Sequence, residues 1–147
     1  MAVNIVTFDQ DPIFIDYINK ELKVNFDPAD SRTVSHIRKN DDGTYTILAV
    51  LLYNRWATHS CEASIASSTK HWISWEYLHA CYSYIFNTGR TRINYVVEVD
   101  NKAALNLHRK LQHEELTLLR DLFGEGKDAY LFGITKREYE AGRWFKK

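Results

Sequence analysis

Three ionisable side chains in this chain are placed where they could move protons. Glu62 lies at the start of a short alternating stretch, Cys61 to Ser67. Glu98 lies near the end of another, Thr91 to Val99. His108 sits on the apolar face of a helical pattern. A carboxylate within reach of an amine can take its proton, and an imidazole can give one near neutral pH. As a base Glu62 ranks first, Glu98 second and His59 third. Lys70 and His71 bring positive charge to the loop Thr69 to Ser74, just ahead of a helix. Each of these residues also has an ordinary reading. His108 would be a hydrogen-bonded core imidazole, and the carboxylates would be exposed or salt-bridged.

The elements that must hold these groups can be read from patterning. Val3 to Phe8 reads as a strand. Asp11–Pro12 opens a helix whose Ile15, Ile18 and Leu22 share a face, because Asp accepts from free helical amides and Pro suits the first turn. Thr33 to Lys39 and Tyr45 to Tyr53 flank Asn40–Asp41–Asp42–Gly43, a hairpin signal. A helix is expected over Ile73 to Asn87, with an apolar stripe of Leu78, Cys81, Tyr82 and Ile85, stopping at Gly89. In the strand Thr91 to Val99, Ile93, Tyr95 and Val97 face one side, and Asn94, Val96 and Glu98 the other. The next helix runs from Asn101 to Gln112, burying Ala104, Leu107, His108 and Leu111. Leu116 to Phe123 and Ala129 to Ile134 form a closing hairpin, and Lys136 to Ala141 a final helix. The order β-α-β-β-β-α-β-α-β-β-α predicts one α/β domain over 1–147, a mixed sheet with helices on both faces.

Composition narrows the functional classes. The chain has 147 residues, with 19 Lys+Arg balanced by 19 Asp+Glu. No global field or basic stripe points to nucleic acid. No apolar run is long enough to span a membrane, and no secretory leader is visible, so a cytoplasmic setting is expected. Cys61 and Cys81 offer neither a disulfide framework nor metal spacing and read as buried thiols in a reducing compartment.

Two segments and the tail carry a resemblance. In CEASIASSTKHWISWEYL, residues 61–78, Glu62, Ile65, Glu76 and Leu78 fall where the GNAT N-acetyltransferase superfamily has similar residues. The family's loop there reads Arg/Gln-x-x-Gly-x-Gly/Ala, and here Trp72 and Ser74 occupy the glycine positions. In the second segment Asn101, Ala104, Leu107 and Lys110 match the family's Asn-x-x-Ala-x-x-Leu-Tyr-x-Lys-x-Gly-Phe. His108 stands at the Tyr, and Gln112 and His113 stand at the Gly-Phe pair. Arg120, Gly126, Asp128, Tyr130 and Tyr139 echo framework positions of the tail. From Thr44 to Trp144 the chain resembles this superfamily. It is most similar to the branch that acetylates protein N-termini, ribosomal-protein and N-terminal-alanine acetyltransferases among them.

The resemblance implies the GNAT fold with its central mixed, mostly antiparallel sheet, acetyl-CoA as co-substrate and an amine acceptor, either a protein N-terminus, a lysine or a small amine. It implies a cleft where Cys61–Ser67 and Thr91–Val99 splay. Backbone near Ile65 and Ala66 would pair with the pantetheine arm, and Asn101 would contact it. Lys70, His71, Trp72, Ile73 and Ser74 would line the pyrophosphate loop. His108 would be the acid at the departing thiolate, with Glu62 or Glu98 as the base. Trp56, Trp72, Trp75 and Tyr77 would either shape an acceptor pocket or pack as aromatic core. The second reading from the same residues is a catalytically degenerate GNAT-fold protein. It would serve as a binding or structural subunit of a phage-type accessory or virion-associated kind, with protein assembly partners. An exposed edge strand in the closing hairpin would allow a homodimer.

Overall fold

A computed structural model describes residues 1–147. The strands are β1 (Val3–Thr7), β2 (Arg32–Lys39), β3 (Tyr45–Asn54), β4 (Ser60–Ser67), β5 (Arg92–Glu98), β6 (Glu114–Leu119) and β7 (Ala129–Thr135). The helices are α1 (Pro12–Leu22), α2 (Trp75–Phe86), α3 (Lys102–Lys110) and α4 (Lys136–Ala141), and 3-10 turns cover Pro28–Asp30 and Lys70–Trp72. The expected order of strands and helices is the observed one. The sheet runs β1-β2-β3-β4-β5-β7-β6. Only β4 and β5 pair in parallel; the other neighbours are antiparallel. No helix is long and apolar enough to cross a membrane.

Alternation along β3 divides the core. Ala49, Leu51 and Tyr53 join α2, α3 and α4 in the larger cluster, whereas Val50 and Leu52 pack on Phe14, Ile15 and Ile18 of α1. A one-residue slip would exchange the two sets. Fully burying each of these aliphatic side chains stabilises the fold by about 1.5–3 kcal/mol. The caps follow their chemistry: the Asp11 carboxylate accepts from Ile13 N at 2.9 Å, and Thr135 forms a reciprocal capping box with Glu138.

Two boundaries and one buried face differ from expectation. α2 begins at Trp75, because Ser74 Oγ caps it by accepting from Tyr77 N at 3.1 Å. β6 covers Glu114–Leu119 rather than Leu116–Phe123. It is an edge strand with little to pack on, so two glutamates cost nothing at its start, and Leu116 and Leu118 stay exposed. Leu122 and Phe123 belong instead to a hairpin loop, where the Asp121 carboxylate accepts from Gly126 N at 2.9 Å. On α3 the buried residue Leu105 joins His108 and Leu111, while Ala104 and Leu107 are only half-buried.

Candidate active site

The parallel pair β4–β5 supplies the opening. Its rungs run from Ser60–Arg92 to Ala63–Tyr95 and stop there. β4 continues on β3 as far as Ser67, opposite Ala49, and β5 continues on β7 as far as Glu98, opposite Ala129. The strands therefore splay beyond Ala63 and Tyr95. Two grooves meet at the gap, of about 610 Å³ and about 760 Å³, and both touch Leu22, Ile65, Asn101 and Ala104.

The smaller groove gathers most of the residues expected to hold a cofactor. Ile65, Ala66, Lys70, Trp72, Ile73 and Asn101 line it, joined by Lys110 of α3. Asn101 also caps α3, its Oδ1 accepting from Ala104 N at 3.1 Å. His71 and Ser74 lie outside the groove: His71 is exposed on the 3-10 turn, and the Ser74 hydroxyl serves as the α2 cap. Nor does Trp72 occupy a glycine-like backbone position. Positive φ among non-glycine residues occurs only at Lys23, Arg55, Gln112 and Asp121. In the Thr69–Ser74 loop, Thr69 caps a 3-10 turn that turns Trp72 into the core, 4% exposed. Its ring meets Tyr77 edge-on at 5.8 Å, and His36 Nδ1–H donates to its carbonyl at 2.7 Å.

Both candidate carboxylates and His108 border the larger groove. Glu62 stands opposite Asn54 in the β3–β4 ladder. Val50, Leu52 and Ala66 pack on α1, so the alternation of β3 and β4 puts Asn54 and Glu62 on that same sheet face. Glu98 is on it too, opposite to buried Ile93, Tyr95 and Val97. Burial raises the Glu62 pKa, and Arg55, whose Nε is 3.5 Å from Oε2, pulls it back. His59 is not in the site; it is exposed in the turn before β4, and its carbonyl accepts from Thr91 N at 2.9 Å. Asn54 was missed by patterning. It is buried, lines this groove and leaves Oδ1 without a partner. Its register opposite Glu62 is the signal that would have found it.

His108 is 4% exposed and packs between Tyr95, ring centroids 4.8 Å apart, and Phe132 at 5.2 Å. Its Nδ1 is 2.9 Å from Nδ1 of His113, and Nε2 of His113 is 2.6 Å from the Tyr82 hydroxyl. Burial pushes the His108 pKa down to about 4 and that of His113 well down too. An imidazolium at His108 is thereby disfavoured at neutral pH. Chain geometry explains the pairing. His113 N donates to His108 O at 3.0 Å and Gln112 N to Arg109 O at 3.1 Å, with Gln112 at φ 62°. That is the Schellman ending of a helix, which brings the side chains flanking the left-handed residue together.

Trp56, Trp72, Trp75 and Tyr77 do not line the larger groove. Trp56 Nε1 donates to Asp30 O at 2.9 Å, Trp75 stacks on His79 at 4.4 Å, and the Tyr77 hydroxyl donates to Val34 O at 2.8 Å. Trp72 alone of the four borders a groove, the smaller one. Cys61 and Cys81 are free and buried, as expected, and burial raises both thiols to about 12.

No family model and no curated protein matches this sequence. Solved structures do match in shape. NAA60 of Arabidopsis thaliana in complex with acetyl-CoA superposes with a TM-score of 0.69 at 10% identity, over 93% of this chain and 99% of that one. The spermidine/spermine N-acetyltransferase SpeG of Vibrio cholerae gives 0.66 at 14%, over 96% and 98%. A GNAT-family acetyltransferase of Bacillus anthracis gives 0.59 at 14%, over 84% and 73%. At such identities the likeness concerns the backbone alone, and on that ground this chain has the fold of the GNAT-family acetyltransferases.

Proposed function

We propose that this chain is an acetyl-CoA-dependent N-acetyltransferase acting on a primary amine. The observation that carries this reading is the divergence of β4 and β5 past Ala63 and Tyr95, which opens two adjoining grooves, one reached by Lys70 and Lys110 and the other by Glu62, Glu98 and His108.

The residues present suit the co-substrate. Beyond Ala63 the β4 edge at Ile65 and Ala66 has no strand beside it. A ligand amide chain can add to such an edge as a strand would. Lys70 and Lys110 offer charge to phosphates, and the Asn101 amide nitrogen remains available while its oxygen caps α3. When bound, acetyl-CoA would supply an acetyl group activated as a thioester. The chain's own work is then threefold. It holds the arm along β4, takes a proton from the acceptor ammonium at a Glu62 oxygen, and presents His108 to the departing sulfur. A half-buried carboxylate with a raised pKa is a better match to that proton than an ordinary one. Glu98, on the same face, adds negative charge that favours a cationic acceptor.

Acceptor class follows from the likeness only in outline: a protein N-terminus, a lysine or a polyamine-like small amine. The resemblance to the N-terminal branch favours the first. A second reading, a binding or structural subunit without turnover, draws support from the buried Trp72, which removes the glycine backbone from the pyrophosphate loop. Turnover assays separate the two. Coenzyme A release would be followed with a peptide bearing a free N-terminus, an N-blocked peptide with one lysine, and spermidine. The enzyme reading expects one probe to be acetylated, with Glu62→Gln lowering kcat about 100-fold or more. It also expects a rate that climbs with pH through the raised pKa of Glu62. Binding of acetyl-CoA without turnover on any probe would favour the subunit.

A further inference from the structure

The hydrogen bonds around His108 fix more than its position. Tyr82 of α2, His113 after α3 and His108 of α3 form an unbranched chain, with the Tyr82 hydroxyl 2.6 Å from His113 Nε2 and the two Nδ1 atoms 2.9 Å apart. All three residues are buried. Two polarities of this chain are conceivable. In one, Tyr82 O–H donates to His113 Nε2, and His113 Nδ1–H donates to His108 Nδ1. The Tyr82 hydroxyl, both nitrogens of His113 and Nδ1 of His108 are then paired, and the remaining proton of His108 must sit on Nε2, an atom that is not fully buried. In the other, His108 Nδ1–H donates to His113, and His113 Nε2–H donates to the Tyr82 oxygen. The Tyr82 hydroxyl hydrogen is then left with no protein acceptor, since His113 is its only partner. A buried donor without an acceptor is the costly outcome. A doubly protonated His108 needs this second polarity too. His108 Nε2 has no protein partner, is not among the fully buried unpaired atoms, and belongs to a ring that lines the larger groove.

We propose that Tyr82 and His113 are positioning residues that lock His108 in the Nε2–H tautomer, so that a neutral imidazole presents a fixed N–H donor to the cleft. This deepens the acetyltransferase reading and rests on it for what the donor meets: the thioester oxygen or the departing sulfur. The role differs from that of an acid. Surrendering the Nε2 proton would require Tyr82 to pass its own proton down the chain and leave a buried phenolate beside Tyr139, with ring centroids 4.9 Å apart. Burial raises the Tyr82 pKa, which opposes that step. His108 thus keeps its proton and stabilises charge by hydrogen bonding, while the thiolate is protonated from solvent. The tautomer is set by the bond at the other nitrogen, as is general for imidazoles. Histidine at both 108 and 113 makes sense as one joint change, because His108 is locked only through His113.

The test is 15N-histidine NMR on the whole chain, with His108 assigned by comparison with His108→Gln. Expected near neutral pH is a neutral His108 with its proton on Nε2 and an acceptor-type Nδ1. Tyr82→Phe, which keeps the ring, should convert this single form into a mixture of tautomers. A parent His108 protonated on Nδ1, or doubly protonated, would overturn the inference, as would a single unchanged tautomer in folded Tyr82→Phe. If that variant does not fold, the parent spectrum alone still decides. Acetyl-CoA is then added to the parent and should shift the His108 Nε2–H signal. Absence of that shift with the expected tautomer present would overturn the donor's catalytic role and leave the lock standing.

Discussion

The Thr69–Ser74 loop and the end of α3 both depart from the pattern the chain otherwise resembles, and they depart differently. In the loop, Trp72 is absorbed into the core, 4% exposed, with its carbonyl held by His36. The backbone takes an ordinary path, so nothing there requires glycine. At the end of α3 the backbone keeps the left-handed position that glycine favours, now filled by Gln112 at φ 62°. The side chains on either side of it, His108 and His113, change together into a bonded pair. One departure sets a core side chain on backbone that has no need of glycine, and changes what the groove can offer. The other preserves the backbone and changes the chemistry offered to the cleft. A mismatch at a motif position is therefore weak evidence of lost function until the backbone at that position is known.

The largest expected effect lies in the loop. Trp72→Gly does not restore a cofactor loop but empties a core site, and should destabilise by about 3–5 kcal/mol in urea unfolding. A loss below about 1 kcal/mol would mean that Trp72 is not packed as described. Acid stability comes next. His36, His108 and His113 all have pKa values lowered first by burial. The unfolded chain therefore binds more protons than the folded one below the ordinary histidine pKa. Stability is full above about pH 6.5 and falls as pH drops toward the folded values, at up to about 1.4 kcal/mol per pH unit for each histidine. Thermal melts from pH 7 to pH 4 should show this, and His108→Phe should flatten the slope. A profile unchanged by that variant would argue against a buried neutral imidazole.

Smaller effects refine the contrast. Asn101→Ala removes the α3 cap and should cost about 1 kcal/mol, whereas Asn101→Asp keeps an acceptor for Ala104 N and should cost less. If both weaken acetyl-CoA binding equally at matched stability, the amide nitrogen is what the ligand uses. Gln112→Gly relieves the left-handed residue and should raise stability by about 1 kcal/mol. Its His108 tautomer should match the parent's, because the lock resides in side chains. A destabilised Gln112→Gly would show that the end of α3 is not built as described.

Much of this architecture is legible in the residues. Asp11–Pro12, the Asn40–Gly43 turn and the alternation of β5 announce themselves locally, and element order follows. The splay of β4 and β5 came from family resemblance, and the register bears it out. Other features depend on distant partners. Adjacent Ala104 and Leu105 lie about 100° apart on the helix, and periodicity could not choose between them. Glu114 and Glu115 hide an edge strand, because an edge with one bare face tolerates charge. Tyr82 and His113 are 31 residues apart and meet only because α2 and the end of α3 join the same core cluster on one face of the sheet. The Thr69–Ser74 loop has no local signal for its backbone, and only the structure shows that Trp72 sits at ordinary φ with its ring in the core.

The central claim is that the cleft between β4 and β5 takes acetyl-CoA. Isothermal titration of the intact chain with acetyl-CoA tests it most directly, with a Lys70→Ala, Lys110→Ala double variant alongside. The account predicts one site of micromolar affinity in the parent, weakened in the variant without loss of thermal stability. No heat of binding at millimolar acetyl-CoA, or binding indifferent to both lysines, would contradict it.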